Sequence, residues 1–261
     1  MRIRPLGWAT GVAILQLTGS VVEEHADHVV IRSPHNPDFH WGNCLFVTDD
    51  DAVDDAERWW DIFGRAFPEA DWVAIGLTRM PDDRAAWAKL GLELEVDDVL
   101  TTRTLPRRLP RAPGYTVRRL TAKDWGRSAA RRVAENRLTQ NHDPAAFERF
   151  ATAQARTHRE LSERDLAAWF GAFANDTLVA ELGIVRCGTT ARYQGISTDE
   201  EHRGRGLASH LLGVAAQWAA DRGCDRWVIV TGATNPAGRV YRSVGFVTDG
   251  SSVEAYRRPP S

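Results

Sequence analysis

Cysteine is scarce in this sequence, and the three present stand far apart. Cys44, Cys187 and Cys224 form no CxxC and no Cys/His group at metal-ligand spacing. That excludes a zinc-finger or disulfide-framed domain and fits reduced thiols inside the cell. Lysine is nearly missing: apart from Lys89 and Lys123, every basic residue is Arg. Neither charge sign is in excess. A formal net charge of −2 offers no electrostatic argument for nucleic acid or an anionic membrane. Long hydrophobic runs are lacking as well. Val12–Leu17 is apolar but short and interrupted by Gln16. It has neither the length of a membrane span nor the flanks of a signal peptide. It is expected as an early helix or strand, and the protein is expected in the cytoplasm. The common nucleotide motifs fail too. GxxxxGK[ST] is absent, and Gly204-Arg205-Gly206 has Ser209 where a dinucleotide fingerprint needs its third glycine.

What is present describes a globular α/β chain. Hydrophobic residues make up 43% and charged residues 26% of 261, enough for one large or two small cores. The run 105–114, Leu-Pro-Arg-Arg-Leu-Pro-Arg-Ala-Pro-Gly, cannot be a helix or a central strand. It predicts an extended linker at 106–113 between domains 1–105 and 114–261. The second of these alternates in a βααβββαβαβ order. Strands are expected at Tyr115–Leu120, Leu166–Phe173, Thr177–Val185, up to Thr198, at Arg226–Val230 and at Val253–Arg257. Helices are expected from Trp125 to about Asn136, from about Ala145 to Glu163 after the break at Asn141–Pro144, over Leu207–Arg222, and over Pro236–Val244. The first half predicts strands at His28–Arg32, Asn43–Thr48, Trp72–Leu77 and Leu94–Thr104. Its helices are expected at Val53–Phe67 and Asp82–Leu90. Its strand-helix-strand-helix-strand tail echoes the tail of the second half.

One run carries chemistry: Arg203-Gly204-Arg205-Gly206-Leu207-Ala208. Two glycines between a strand and a helix let a ligand approach the backbone closely. Successive N–H groups can then form an anion nest at the positive end of the helix. Alone, the run is as well explained by a solvated basic turn that starts a helix.

The run resembles the Gln/Arg-x-x-Gly-x-Gly/Ala signature of the GCN5-related N-acetyltransferase (GNAT) superfamily. The preceding Ile196-Ser197-Thr198 is similar to the family's fourth strand, with Glu200 where the family often has Pro. Downstream, Trp227–Val230 followed by Asn235, Tyr241 and Gly245-Phe246 is similar to the family's second cofactor segment. The resemblance covers about 114–258. It implies two GNAT-like domains, each a mixed, mostly antiparallel sheet flanked by helices, the first of them degenerate. It implies transfer of an acetyl group from acetyl-CoA to an amine by direct attack, with no metal. Arg203, Gly204, Arg205, Gly206, Leu207 and Ala208 would hold the pyrophosphate. Ile196, Ser197 and Thr198 would run along the pantetheine arm, with an amide near Ile196 or Ser197 aimed at the thioester oxygen. Asn235 would bind the same arm, although an Asn before Pro is often a helix cap. Tyr241 would be the general acid toward the departing thiolate, unless it is only an aromatic packed on the sheet. For the base, Glu181 is the candidate, ahead of Gln194 and His202; a base acting through water also fits.

Other conspicuous residues have simpler explanations. The tryptophans sit in periodic apolar stretches and are expected in cores. His25, His28, His35 and His40 match no zinc spacing. The loop Ser33–Asn43 is either a long hairpin connection or a substrate-side or inter-domain contact. Thr48-Asp49-Asp50-Asp51 stands where the first half would need its glycine loop, so like charge predicts no CoA binding there. A silent CoA-binding or sensing module is the rival from another class, and a dinucleotide enzyme a third. No residue selects the acceptor, which is a small molecule or a peptide with an amine, and none fixes the oligomeric state.

Overall fold

The computed structural model describes residues 3, 5–110, 112–139 and 142–259. Arg111 of the expected linker and Asn141 of the expected helix break lie outside them. The chain packs as two compact units that are not contiguous in sequence. Unit 1 contains residues 1–99, 230–235 and 248–261; unit 2 contains residues 100–229 and 236–247. Packing thus assigns 230–235 and 248–261 to unit 1, where a division at 106–113 would put them with the second half.

Unit 1 opens with α1 (Leu6–Leu17), β1 (Val21–Glu24), β2 (His28–Arg32) and β3 (Cys44–Val47). Next come α2 (Ala56–Ala66), β4 (Val73–Leu77), α3 (Arg84–Lys89) and β5 (Glu93–Thr102). Val12–Leu17 is therefore helical, and β1 is a strand that its polar composition did not announce. β1, β2 and β3 pair antiparallel in turn, and β3 runs parallel to β4. α2 supplies the connection a parallel pair needs. β2, β3 and β4 are apolar almost without alternation and buried, which fits strands covered on both faces. Trp8, Phe46, Trp59 and Trp87 lie in their core.

The loop 33–43 is closed by its own polar groups. The Ser33 N–H donates to the Asn43 side-chain oxygen at 2.8 Å, and Asn43 Nδ2 donates to the carbonyls of Asn36 and Phe39. His40 stacks on Trp72, and its Nδ1 lies 2.6 Å from the Tyr256 hydroxyl.

Unit 2 contains β6 (Thr116–Arg119), α4 (Trp125–Thr139), α5 (Pro144–Glu163), β7 (Ala167–Ala174), β8 (Thr177–Cys187) and β9 (Thr190–Thr198). These are followed by α6 (Leu207–Ala220), β10 (Arg226–Gly232, whose residues from Val230 on belong to unit 1) and α7 (Ala237–Ser243). The last strand, β11 (Val247–Arg257), runs antiparallel to β4 and belongs almost wholly to unit 1. In unit 2, β6 to β9 pair antiparallel in turn and β9 runs parallel to β10. This repeats the unit 1 pattern, so each unit is a mixed, mostly antiparallel sheet flanked by helices. The boundaries follow local chemistry. Asp143 caps α5 by accepting from the Ala146 N–H, with Pro144 in the first turn. Asn175 and Asp176 take positive φ in the β7–β8 turn, as a two-residue hairpin requires. The Arg118 guanidinium beside Asp124 holds that carboxyl well below the usual carboxylate range, and the Thr121 N–H and hydroxyl also donate to it.

The expected linker is not free. The Arg107 N–H donates to the Val244 carbonyl, and His210 Nδ1 meets the Leu109 carbonyl at 2.7 Å. Gly213 of α6 makes room, because a Cβ there would come within 2.6 Å of the Arg108 Cα.

Gly183 is the tightest point of the unit 2 sheet. It faces Trp169 across β7–β8, and a Cβ would lie 2.2 Å from the indole. Trp169 cannot easily yield, since His158 stacks on it at 4.1 Å and Trp125 meets its edge. Gly183→Ala is expected to cost about 1–3 kcal/mol, the usual range for overpacking. Urea unfolding would measure it, and an unchanged midpoint would refute the packing argument.

Candidate active site

The site begins where β9 stops. The Asp199 N–H still bonds the Val179 carbonyl, and one helical turn follows at Glu200–His202. Gly204 and Gly206 both adopt φ +73°, a region that glycine enters without a Cβ clash. A Cβ on either would meet nothing within 4 Å, so the backbone rather than crowding demands glycine. The first rung of α6 runs from the His210 N–H to the Gly206 carbonyl. No described residue accepts from the N–H groups of Gly204 through Ser209. No side chain caps α6, and no acidic residue sits in its first turn.

Leu207 is buried and anchors the turn, while Arg203 and Arg205 are exposed. Both fold back onto the loop: Arg203 Nε donates to the Thr198 carbonyl and Arg205 to the Glu201 carbonyl. His202 is half-buried rather than at the surface, with Nδ1 2.9 Å from the Tyr115 hydroxyl. Unbonded N–H groups at the start of a helix are the kind of array that can receive an anion.

The corresponding turn of unit 1 is filled from within. After the single turn Asp50–Ala52, Asp55 caps α2 by accepting from the Arg58 N–H. Asp54 accepts from the Asp82 N–H and from Arg79 at 2.6 Å. Carboxylates of the chain itself occupy the position an external anion would take.

β9 is irregular next to the loop. Glu181 pairs with Ser197 but Gly183 pairs with Gln194, so β9 carries one extra residue at Gly195-Ile196. Gly195 has φ +54°, the left-handed residue of such a bulge. Pairing with β10 covers Thr190–Arg192 only. From Tyr193 to Thr198 the edge of β9 away from β8 has no strand partner among the described residues. Ile196, Ser197 and Thr198 are half-buried along that edge. An extended ligand could add there as a strand does.

Tyr241 of α7 lies in the core cluster that also holds Leu207, with Ile196 packed against it. The side chain is 5% exposed. Its hydroxyl has no hydrogen bond to a described residue, yet it is not among the fully sealed polar atoms. Burial pushes its pKa up to about 12. Asn235 falls in unit 1, exposed, its N–H closing a turn on the Gly232 carbonyl.

Glu181 is 3% exposed and fully engaged. Ser128 donates to one oxygen at 2.6 Å and Arg131 to the other at 3.0 Å. Arg131 also donates to Ser197 Oγ at 2.7 Å and to Asp199 at 2.6 Å. Sequence reasoning missed this α4–β8–β9 network. A pair of adjacent arginines reads as a solvated face, and only the three-residue spacing of Ser128 and Arg131 hinted that one of them turns inward. Among the described residues no His, Cys, Asp and Glu group is placed to hold a metal, and no helix is long and apolar enough to cross a membrane.

Residues 134–246 match the model of the acetyltransferase (GNAT) family. No curated protein matches the chain. Among solved structures, a GCN5-related N-acetyltransferase from Kribbella flavida superposes with TM-score 0.65 at 15% identity, covering 98% of both chains. A functionally unknown conserved protein from Staphylococcus epidermidis gives 0.68 at 13%, covering 93% of this chain and 96% of its own. A tandem GNAT protein from the clavulanic acid biosynthesis pathway gives 0.54 at 12%, covering 93% and 84%. Identities this low establish likeness of fold.

Proposed function

We propose that the chain, whose residues 134–246 match the acetyltransferase (GNAT) family model, moves an acetyl group from acetyl-CoA to an amine, at one site, in unit 2. The observation that carries the reading is the uncapped start of α6 with its free N–H groups and paired left-handed glycines. It fits the pyrophosphate of CoA in charge, whereas the α2 start in unit 1 is capped by Asp55. Acetyl-CoA supplies an activated thioester. Backbone N–H groups of Gly204–Ala208 hold its pyrophosphate, with Arg203 and Arg205 adding charge. The unpaired edge at Ile196–Thr198 aligns the pantetheine arm, and the bulge frees an amide for the thioester oxygen as charge grows there. Tyr241 donates to the sulfur as the new C–N bond forms and the C–S bond breaks. The amine loses its proton to a base or to water. The buried pairing of Glu181 with Arg131 favours a role for Glu181 in holding β9 rather than in taking that proton.

The test is release of free CoA thiol from acetyl-CoA by the full chain across an amine panel, with CoA binding measured in parallel. Thiol release that depends on an amine supports the reading. Binding without release favours a CoA-sensing module, and no binding sinks both. Gly206→Asp would copy the unit 1 arrangement at the head of α6. Asp tolerates positive φ, so the fold is expected to persist while CoA affinity falls at least about tenfold through like-charge repulsion. Calorimetric titration with CoA reads this directly; unchanged affinity would move the pyrophosphate elsewhere.

A further inference from the structure

Two neighbouring arginines of α4 have opposite surroundings. Arg131 is consumed by Glu181, Ser197 and Asp199. Arg132 makes no hydrogen bond and no ion pair with any described residue. It is half-buried, and its guanidinium lies over the Phe150 ring of α5, 5.1 Å from the centroid. A ring face attracts the cation but leaves its in-plane N–H groups unused. Burial pushes the Arg132 pKa down, with Glu181 and Glu135 acting the other way.

His158 stands beside it on α5, its ring stacked on Trp169. Burial and then the Arg132 charge push the imidazole well below its ordinary pKa, so His158 is neutral near pH 7 and adds no second cation. Phe147, Phe150, Gln154 and His158 recur at three- and four-residue spacing and share one face of α5. Through Arg131, α4 is bonded to Ser197, next to the bulge of β9. The unused guanidinium therefore sits on the helix that is tied to the acyl-transfer position.

We infer that the acceptor amine carries a carboxylate, and that Arg132 receives it. The inference rests on the acyl-transfer reading for what happens next, but not for the anion site itself. A half-buried cation with no hydrogen-bonded counter-ion is unfavourable in the free protein, and a ligand that brings a bonded carboxylate relieves it. The planar fork of one guanidinium matches one carboxylate in a bidentate pair. A phosphate dianion would exceed it, because Arg131 already faces two carboxylates of the chain. The substrate class is an amino-acid-like amine, and the aromatic face of α5 offers its side chain an apolar wall.

The experiment uses product-like probes that need no turnover. N-acetylphenylalanine and N-acetylglycine, each beside its carboxamide, are titrated into the full chain with and without CoA. The acids are expected to bind about ten- to a hundredfold more tightly than the amides, the range of a charged hydrogen-bonded pair. Arg132→Gln is expected to erase that ratio, and Arg132→Lys to keep part of it, which guards against a variant that fails to fold. Equal binding of acid and amide, no binding of either, or an undiminished ratio in Arg132→Gln overturns the inference. A carboxylate preference without acylation of any amine would sink acyl transfer and leave the anion site standing. Acylation without the preference would do the reverse.

Discussion

Replacing Tyr241 by Phe is expected to lower kcat by about 10²–10³-fold and to leave CoA affinity unchanged. The magnitude follows from how the phenol is held. With a pKa of about 12, it lies about 3.5 units above a free thiol at about 8.5. Complete proton transfer to a departing thiolate is uphill by that margin. The larger contribution is therefore a hydrogen bond from a fixed donor to the sulfur as its charge develops, and Phe removes only that bond. The raised pKa also keeps the phenol protonated through pH 9, so an alkaline fall in rate must come from another group. Single-turnover rates for Tyr241→Phe against the unchanged protein, with CoA titrations of both, separate the outcomes. An unchanged rate would return Tyr241 to a packing role, and a weakened CoA complex would make it a binding residue.

Arg131→Met is expected to be among the most damaging single changes in unit 2. It strands Glu181 at 3% exposure with only Ser128 as a partner. Removing one member of a buried pair typically costs about 3–5 kcal/mol. Changing both members, Arg131→Met with Glu181→Leu, should recover much of that loss, because no charge is then left buried. Denaturant unfolding of the two single variants and the double variant gives the coupling directly. The cycle also decides what Glu181 is for. If Glu181→Gln keeps its stability and loses the reaction, Glu181 takes the proton after all. If it loses stability while residual activity follows the folded fraction, it is a strut.

The chemistry of single segments was legible in the sequence. Pro144, the Asn175-Asp176 turn and the glycine at 206 each act within a few residues of themselves, and the elements they delimit lie where expected to within a turn. Long-range partners were the least legible. The partner of Glu181 could not be read, because it is on a helix some 50 positions earlier. The run at 106–110 has the composition of a linker, yet the Arg107 amide bonds the Val244 carbonyl at the end of α7 and the Leu109 carbonyl meets His210 of α6. The acidic run of unit 1 was legible as a charged helix start. That Asp55 caps α2 and Asp54 gathers Arg79 explains why those acids are tolerated at a helix start. β1 carries Glu23 and Glu24 on a mostly exposed strand, so no hydrophobic alternation marked it.

The pairing of β11 with β4, from Val253 opposite Leu77 to Arg257 opposite Val73, bears on the order of synthesis. Domains ordinarily fold as they leave the ribosome, the N-terminal one first. Here the N-terminal sheet cannot finish in that order. The outer edge of β4, the buried run Val-Ala-Ile-Gly-Leu, must wait for β11, a strand that follows unit 2 in the sequence. During that interval an apolar edge stands open to other nascent chains, and residues 100–229 are made before unit 1 is complete.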